Sequence, residues 1–397
     1  MDDPSDISTD WAQQLQKLVQ SLHSQGITHV ESFAWRDLAD PDAGGSEVHA
    51  DHVMSRWATA GLSVSHRTST DGQKETFVRN GYTVTRQGGR YSVFAQVVFS
   101  RLLRRAQTNV AIVEIWNGVP WFSQLWGNKV RSTWLHHIHE DMWNESLPSA
   151  LAPIARWVEV SAAPKLYRRT RIATLATTTQ SELISRGYKS ENVVVAEPGI
   201  DSRYCPRDNA KTPTPTLLAV GRLAPVKRFP MLLATFAEVL RSVPNAHLTI
   251  AGDGPDKETL RHSIERLNLT DHVTLAGRVT DDELLALYQS SWLLVSASHS
   301  EGWGMTITEA AACGTPCVVT SNHGHCAAAT HGVTGLIVED DTQLATEIVR
   351  VLHDDELRTA LAKGAIVHAS KFRWDRTAAI LLQTLVDSLP HRGRRQK

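Results

Sequence analysis

The sequence predicts an α/β protein with two domains, each built on a doubly wound parallel sheet. Short runs of consecutive apolar residues, such as 217–220 and 317–320, have the composition of parallel strands that are buried on both faces. Helical segments of about ten to fifteen residues alternate with these runs, which is typical of strand–helix–strand units. The 397 residues correspond to two or three domains at roughly 100–200 residues each, and the alternation occurs in each half of the chain.

The first half of the chain opens with a helix, a strand, a glycine-containing loop, a helix and a strand. Apolar residues at helical spacing begin at Trp11, and Gly26 and Gly61 are placed to end two helices. The order strand, glycine loop, helix, strand is the beginning of a doubly wound α/β domain. The predicted elements are a helix over 11–22, a strand over 28–35, a turn over 40–46, a helix up to residue 60 and a strand over 62–65.

The second half repeats the alternation more clearly after a proline-containing linker near 205–215. Thr280 and Glu283 form a capping-box sequence, which predicts the start of a helix. We therefore expect one domain over 1–205 and a second over 206–372. The predicted strands are 217–220, 247–251, 272–276, 292–296 and 317–320, and the predicted helices are 229–243, one that starts at the capping box, and 306–313.

Composition excludes several classes of protein. The chain has 41 basic and 42 acidic side chains and a formal net charge of −1, so it lacks the positive charge of a dedicated nucleic-acid-binding protein. The acidic N-terminus lacks the pattern of a signal peptide, and no run approaches the ~18 apolar residues of a membrane span. Four cysteines without a CxxC pair favour reduced thiols over a disulfide framework. These features predict a cytoplasmic protein and make no prediction of its oligomeric state.

Two glutamates eight residues apart mark the most informative segment of the chain. Glu301 lies on a loop after a predicted strand, and Glu309 lies within the next predicted helix. Gly302 and Gly304 would permit unusual backbone angles and close approach of a ligand, and the N–H groups near Thr306 would point towards an anion such as phosphate. A sugar could then hydrogen-bond to Glu301 and a second polyol, such as ribose, to Glu309. The alternative is a solvated loop followed by an exposed helix residue.

A cationic loop is expected to lie close to this segment. Arg222 and Lys227 follow the predicted strand 217–220, and the sequence Ala-Gly-Asp-Gly-Pro at 251–255 follows the next strand. Ligands of open α/β sheets bind outside the carboxyl ends of the strands. Arg222 suits bidentate contact with phosphate, and Lys227 adds a flexible positive charge. Ordinary surface charges on a loop are the alternative interpretation.

These motifs resemble those of the retaining glycosyltransferases of family 4, which are of the GT-B type and form the glycosyl transferases group 1. The resemblance rests on the Gly-Arg-…-Lys segment 221–227, on 251–255, and on the glutamate pair with the Ala-Cys-Gly-Thr-Pro that follows it at 312–316. Segment 197–201, Glu-Pro-Gly-Ile-Asp, is similar to the family's interdomain Pro-Asn-Gly-Val-Asp, with Glu-Pro in place of Pro-Asn. The match is dense over the second domain and thinner over the first.

The resemblance implies two Rossmann-like domains that face each other across a cleft, with the last segment, 373–397, crossing back to the first domain. It implies an enzyme that moves a sugar, with retention at the anomeric carbon, from a nucleoside diphosphate sugar to a hydroxyl of an unidentified glycan, lipid-linked or small-molecule acceptor. No metal or other cofactor is expected. The residues implied as catalytic are His136, Arg222, Lys227 and Glu301, and those implied as donor-binding are Gly44, Gly45, Arg222, Lys227, Gly302, Trp303, Gly304, Met305, Thr306 and Glu309.

The turn after the first strand is similar to the family's glycine loop, which lies beside the donor diphosphate and the acceptor. Gly44 and Gly45 follow the predicted strand and precede a helix. Just before them, Asp40 and Asp42 formally fit an Asp-x-Asp metal motif. We interpret this sequence as a turn, and a metal site is the alternative.

A histidine cluster is the other part of the first domain that matches the family. The family has a histidine at the end of a strand near the donor sugar, and His136 is the best match, with His137 and His139 as alternatives. Together with Glu140 and Asp141, these histidines could instead form a metal site. Structural hydrogen bonding of the histidine is a third interpretation.

Segment 91–105 combines apolar residues at helical spacing with Arg101, Arg104 and Arg105. This is the pattern of a basic amphipathic helix that could lie on an anionic membrane surface, which would place the protein at the inner face of the membrane. An ordinary helix packed on the sheet, with solvated arginines at its C-terminal end, is the interpretation we favour.

Three other functions are compatible with parts of the pattern. A sugar-nucleotide epimerase or hydrolase of the same architecture would turn over the donor without an acceptor. A non-catalytic nucleotide- or glycan-binding module would not need the complete set of charged residues. A nicotinamide-dependent dehydrogenase is disfavoured because no Gly-x-Gly-x-x-Gly follows the first strand.

Overall fold

The chain folds into two α/β units, each with its own sheet and core. Unit 1 comprises Met1–Gly199 and Trp374–Lys397, and unit 2 comprises Ile200–Arg373. The chain thus passes between the units after Gly199 and after Arg373. The boundaries expected from the sequence lie after residues 205 and 372. The computed structural model describes residues 10–103, 107–139, 143, 151–208 and 211–390.

Unit 1 is built on a sheet of eight strands. In chain order these are β1 (His29–Phe33), β2 (Ser63–Thr68), β3 (Glu75–Arg79), β4 (Tyr82–Arg86), β5 (Val110–Trp116), β6 (Arg131–Leu135), β7 (Arg171–Thr174) and β8 (Val193–Val195). Their order across the sheet is β3-β4-β2-β1-β5-β6-β7-β8. Strands β3 and β4 are antiparallel, and every other described pair is parallel.

Strand β5 is apolar almost throughout because it is buried on both faces of the sheet. Ala111 and Val113 belong to one core, and Ile112, which points to the opposite face, belongs to another. The helices that precede unit 2 are α1 (Trp11–Ser24), α2 (Gly45–Thr59), α3 (Ser92–Leu103), α4 (Ser123–Trp126), α5 (Ala152–Trp157), α6 (Ala163–Tyr167) and α7 (Thr177–Ser185). Residues of α1 and α2 pack in the first core, and residues of α3 pack in the second. The doubly wound architecture predicted for this unit is therefore confirmed.

Unit 2 has a sheet of six parallel strands. They are β9 (Thr216–Val220), β10 (His247–Ala251), β11 (Val273–Gly277), β12 (Leu293–Ser296), β13 (Cys317–Thr320) and β14 (Gly335–Val338), in the order β11-β10-β9-β12-β13-β14. The helices are α8 (Phe229–Ser242), α9 (Lys257–Arg266), α10 (Asp281–Ser290), α11 (Met305–Ala312), α12 (His323–Ala328), α13 (Leu344–His353) and α14 (Asp355–Ala369). The predicted capping box opens α10, since the Thr280 hydroxyl accepts from the Glu283 N–H and Glu283 accepts from the Thr280 N–H.

The last helix, α15 (Trp374–Val386), packs within unit 1. The Trp57 indole N–H donates to the Ala378 carbonyl at 2.9 Å, and the Thr384 hydroxyl donates to Ser132 Oγ on β6 at 2.6 Å. Both contacts are buried, so α15 is part of the unit 1 core together with α1 and α2. Residues 391–397 of the predicted C-terminal segment lie outside the described residues.

The structure corrects the expectation for segment 91–105. Arg101 is not on a solvated basic face, because its guanidinium donates to Glu31 at 2.6 Å and its side chain is only 6% exposed. The surface of α3 is instead apolar at its C-terminal end, where Phe99, Leu102 and Leu103 are 66%, 64% and 86% exposed. Residues 104 and 105 lie outside the described residues. Within the described parts of the chain, no helix is both long enough and apolar enough to cross a membrane.

Candidate active site

Lys227 and Glu301 form an ion pair at the carboxyl end of the unit 2 sheet. Lys227 Nζ lies 2.5 Å from Glu301 Oε1. Lys227 is on the loop after β9 and Glu301 is on the loop after β12, and these two strands are neighbours in the sheet. The two charged loops that the sequence predicts to converge therefore do so, 74 residues apart in the chain.

The Ala-Gly-Asp-Gly-Pro motif at 251–255 packs directly against the backbone of the cationic loop. A Cβ atom at Gly252 would collide with the carbonyl oxygen of Gly221, and one at Gly254 would collide with that of Leu223. The Leu223 N–H donates to the Asp253 carbonyl at 3.0 Å. Close backbone packing thus explains both glycines and fixes the loop that carries Arg222, whose side chain is exposed.

The carboxyl group of Glu301 lies in a largely buried environment with a positive potential. Burial alone would raise its pKa, but the Lys227 ammonium, His325 and hydrogen bonds from Lys227 and Ser298 hold the pKa below its usual range. A Cβ atom at Gly324 would lie 2.5 Å from Glu301 Cβ, so α12 approaches this loop as closely as it does only because residue 324 is glycine. Glu301 is therefore an ionised acceptor with a fixed position.

The two glycines after Glu301 do not have the unusual backbone angles expected of them. Neither Gly302 nor Gly304 has a positive φ. Packing favours a small residue at 304 instead, because a Cβ there would lie 2.7 Å from Ile307 Cδ1 and 3.1 Å from Ala328 Cβ. Trp303, which the resemblance implies as donor-binding, is buried and meets Phe372 edge to face at 5.4 Å.

Helix α11 begins directly after this loop. Within the described residues no side chain caps its N-terminus, and Met305 and Thr306 are the first two residues of the helix. Uncapped N–H groups and the helix dipole together favour an anion at this position. The geometry of the helix start is therefore compatible with the anion site predicted near Thr306.

Glu309 lies inside α11 and has different neighbours from Glu301. The buried Tyr288 hydroxyl donates to Glu309 Oε2 at 2.8 Å, and Tyr204 meets Tyr288 edge to face at 5.7 Å. Burial raises the pKa of Glu309 to about 7, with Asp281 and Asp201 adding to the shift and the Tyr288 hydrogen bond opposing it. Glu309 is a half-buried carboxyl rather than an exposed helix residue.

This raised pKa predicts a stability effect for Glu309→Gln. The folded pKa of about 7 exceeds the ordinary 4.5, so the folded protein binds this proton more tightly than the unfolded protein does. The wild type therefore loses stability as the pH rises from 4.5 to 7. Glutamine cannot ionise and can still accept from Tyr288, so the variant should be more stable than the wild type at pH 8, by up to about 3 kcal/mol, and no more stable at pH 4. Urea unfolding at both pH values measures this, and an equal difference at the two pH values would contradict it.

The glycine loop of unit 1 is fixed by a network around Glu47. Glu47 Oε2 accepts from the Gly44 N–H at 2.8 Å, and Oε1 accepts from the Ser46 hydroxyl at 2.8 Å. Asn117, which follows β5, donates to Ser46 Oγ at 2.9 Å. Gly45 is the first residue of α2. The loop is thereby held at the carboxyl edge of the sheet, beside the ends of β1 and β5.

Of the three candidate histidines, His136 lies against the helix that the glycine loop opens. His136 is buried, and its Nε2 lies 3.3 Å from Nδ1 of His49 on α2. His139 instead donates its backbone N–H to Glu159 and stacks on His137, with ring centroids 4.2 Å apart. Residues 140 and 141 of the same cluster lie outside the described residues. His136 is thus the candidate histidine that contacts the helix opened by the glycine loop.

The Asp40–Asp42 sequence forms a turn. The Asp42 N–H donates to Asp40 Oδ1 at 2.8 Å, and the Asp40 N–H donates to the Asp37 carbonyl at 3.0 Å. Across the described residues, no group of three or more His, Cys, Asp or Glu side chains is placed to hold a metal ion.

Sequence reasoning missed several side chains that shape these sites. Glu47 had a signal, because an acid at the third position of a helix is part of a capping pattern. Tyr288, His325 and His49 had none, because helical periodicity predicts that a residue is buried but not which side chain it meets.

Comparison with known proteins finds similarity to glycosyltransferases. Residues 205–368 match the family model of the glycosyl transferases group 1. The D-inositol 3-phosphate glycosyltransferase of Salinispora arenicola is 28% identical over 89% of this chain and 89% of its own length. That of Segniliparus rotundus is 32% identical over 48% of this chain and 46% of its own, so the chain spans about half the length of this relative.

Solved structures show the same fold. The sucrose-phosphate synthase of Thermosynechococcus elongatus aligns with a TM-score of 0.74 at 19% identity, covering 88% of this chain and 96% of that protein. Anabaena HepE, in complex with UDP-glucose, aligns with a TM-score of 0.70 at 18% identity, covering 91% and 100%. Residues 205–368 therefore match the glycosyl transferases group 1 family, and the chain has the two-domain fold of the GT-B glycosyltransferases.

Proposed function

We propose that this chain is a retaining glycosyltransferase, which moves a sugar from a nucleoside diphosphate sugar to a hydroxyl of an acceptor. The observation that carries the proposal is the Lys227–Glu301 ion pair, at 2.5 Å, beside the uncapped start of α11. One contact thus joins a cation suited to a diphosphate and a carboxylate suited to sugar hydroxyls. The match of residues 205–368 to the glycosyl transferases group 1 supports the same activity.

The charges of the site match the requirements of this reaction. An ammonium group has three N–H donors, so Lys227 can hold Glu301 and a diphosphate oxygen together. Arg222 and the first turn of α11 add donors for the charge that develops on the departing diphosphate. Glu301, kept ionised, accepts hydrogen bonds from the donor sugar, and Glu309 accepts from the ribose.

The reaction itself exchanges one bond for another at the anomeric carbon. The bond from this carbon to the diphosphate oxygen breaks, and a bond to the acceptor oxygen forms on the same face of the sugar. The acceptor proton passes to the departing diphosphate, which is the base in this scheme. We assign no covalent nucleophile, since the acceptor oxygen attacks the anomeric carbon directly in this scheme. We assign no metal, since Arg222, Lys227 and α11 already supply positive potential for the diphosphate.

The acceptor side is assigned to the glycine loop and His136 of unit 1. The names of the curated relatives, D-inositol 3-phosphate glycosyltransferases, make this compound the first acceptor to test. UDP-glucose is the first donor of a wider panel of sugar nucleotides.

The experiment is a transfer assay with this panel, with and without a chelator. Formation of a glycosylated acceptor, with the anomeric configuration of the donor shown by NMR and with equal rates in chelator, is the expected result. Donor turnover without any acceptor would favour an epimerase or hydrolase. Binding of donor without turnover in the presence of any acceptor would favour a non-catalytic module.

We also propose that the C-terminal end of α3 rests on an anionic membrane surface. Phe99, Leu102 and Leu103 are exposed on a helix that carries no acidic residue, and the sequence continues with two arginines at 104 and 105. Apolar side chains flanked by cations suit the boundary between headgroups and acyl chains. A membrane-bound position would suit an acceptor that is linked to lipid.

The triple variant F99S/L102S/L103S tests this contact. Each large apolar side chain contributes about 1.5–3 kcal/mol when it is buried, so binding to phosphatidylglycerol vesicles should fall at least about tenfold. The exposed Val333 and Val367 of unit 2 provide the matched control, V333S/V367S, which should bind like the wild type. Equal sedimentation of the triple variant and the wild type with these vesicles would contradict the proposal.

A further inference from the structure

His49 and His136 form a buried pair of histidines in unit 1. His49 lies on α2, one turn after Gly45, and His136 follows β6. His49 Nδ1 and His136 Nε2 are 3.3 Å apart, with the two rings nearly perpendicular at 88°. The contact therefore connects the helix that the glycine loop opens to the histidine assigned to the active site.

Two buried tryptophans hold the His49 ring in place. The His49 ring meets Trp134 edge to face at 5.5 Å and Trp374 at 5.8 Å, and both tryptophans are buried. His52, which stacks on Trp374 at 4.4 Å, closes the other side of that tryptophan. The orientation of His49 is thus set by packing against β6 and α15.

Both rings are neutral near pH 7. Burial, with a smaller contribution from His52, lowers the pKa of His49 to about 3. Burial, with His49 and His137, also lowers the pKa of His136 well below its ordinary value. A neutral imidazole carries one ring N–H, so the hydrogen bond between the two rings contains a single proton.

This proton count links the two tautomers. If His49 Nδ1 carries the proton, His136 Nε2 accepts, and the proton of His136 is on Nδ1. If His136 Nε2 carries the proton, Nδ1 of His136 is a bare acceptor. The state of His49 therefore determines whether Nδ1 of His136 donates or accepts.

The far nitrogens of the pair are unsatisfied. Within the described part of the chain, His136 Nδ1 and His49 Nε2 are buried and have no hydrogen-bond partner. An unpaired buried polar group costs about 1–3 kcal/mol. A substrate hydroxyl that pairs with His136 Nδ1 would remove this cost.

We propose that His49 is a positioning residue, which orients His136 and sets the tautomer in which its Nδ1 meets a substrate hydroxyl. The inference rests on the proposed function for its substrate, but the hydrogen bond and the linked tautomers are independent of it. His49 itself does not touch the reacting atoms in this scheme.

Two substitutions at residue 49 separate hydrogen bonding from packing. His49→Asn keeps a polar group near the position of Nδ1, whereas His49→Leu removes it and keeps the position filled. We expect His49→Leu to lower turnover at least about tenfold, because His136 then populates the wrong tautomer, with the affinity for nucleoside diphosphate unchanged. His49→Asn should restore most of the turnover. His52→Leu is the matched control and should retain turnover, because His52 also packs on Trp374 but the hydrogen bond to His136 is made by His49.

NMR of the ring nitrogens, in protein labelled with ¹⁵N-histidine, reports the tautomer of His136. A purely structural role of His49 would leave this tautomer unchanged. The His136 signals are identified by their loss in His136→Asn, and thermal unfolding shows that each variant is folded. The wild type and His49→Asn should show one tautomer of His136, and His49→Leu should show the other tautomer or an exchanging mixture.

The outcomes decide between the alternatives. An unchanged His136 tautomer in His49→Leu overturns the inference, whether or not turnover falls. A changed tautomer with unchanged turnover overturns the catalytic relevance of the pair and argues against the site assignment of His136. If the wild type transfers no sugar at all, the proposed function fails, and the NMR comparison still decides whether His49 sets the tautomer.

Discussion

Replacing Lys227 with alanine should lower turnover by about two to three orders of magnitude. Charge on the departing diphosphate is largest in the transition state, so a cation that meets it acts mainly on turnover and less on donor affinity. Loss of one such donor in other enzymes costs about 2.7–4 kcal/mol. Arg222→Ala should have an effect of the same kind. Initial rates over a range of donor concentrations separate turnover from KM.

The control for Lys227→Ala is Lys189→Ala. Lys189 forms an exposed ion pair with Glu191 at 3.0 Å in unit 1, and exposed pairs contribute little to stability. Lys189→Ala should therefore behave like the wild type. Near-normal turnover of both Lys227→Ala and Arg222→Ala would contradict the assignment of the diphosphate to this loop.

Lys227→Ala should also change how stability depends on pH. In the wild type the pKa of Glu301 is lowered, so its stabilising contribution is present above the ordinary pKa and is lost as the pH falls through the folded value. Without the ammonium group, burial would dominate and raise this pKa. The variant should then lose stability relative to the wild type as the pH rises above about 4.5.

Glu301→Gln and Glu309→Gln should differ in the step that they impair. Glu301 is assigned to the donor sugar, and hydrogen bonds to charged groups contribute about 1.5–3 kcal/mol. Glu301→Gln should therefore lower transfer by about tenfold to a hundredfold while free nucleoside diphosphate still binds. Glu309→Gln should weaken the binding of nucleoside diphosphate, because the single amide oxygen of glutamine is taken by the Tyr288 hydroxyl and the remaining NH2 group cannot accept from the ribose. Calorimetric titration with nucleoside diphosphate measures the difference.

The two variants control for each other, since both replace a carboxylate of unit 2 with an amide of the same shape. Equal nucleotide affinity of Glu309→Gln and the wild type would contradict the ribose assignment. Weakened nucleotide binding in Glu301→Gln, with normal transfer at saturating donor, would contradict the sugar assignment.

The convergence of Lys227 and Glu301 could be predicted because it follows from topology. Both residues follow buried apolar strands, and parallel strands bring their carboxyl ends to one edge of the sheet. The β3–β4 hairpin was missed although Asn80-Gly81 carries its signal. Both residues have positive φ, 46° and 87°, as a tight two-residue hairpin turn requires.

The pairing of charged and aromatic side chains could not be predicted in the same way. Arg101 has the spacing of a surface residue, but Glu31 on β1 lies beneath it and forms an ion pair with it at 2.6 Å. Trp303 is implied by the resemblance to bind the donor, and its contact with Phe372 had no signal in the sequence. Such pairings depend on which elements are neighbours across the core, and a periodic pattern in one element does not contain this information.

A crystal structure of the chain with a bound nucleoside diphosphate sugar tests the central claim most directly. We expect the diphosphate within hydrogen-bond distance of Lys227 Nζ and of the first turn of α11, with the sugar at Glu301 and the ribose at Glu309. A sugar nucleotide bound to unit 1 alone, or to unit 2 away from Lys227 and Glu301, would contradict the account.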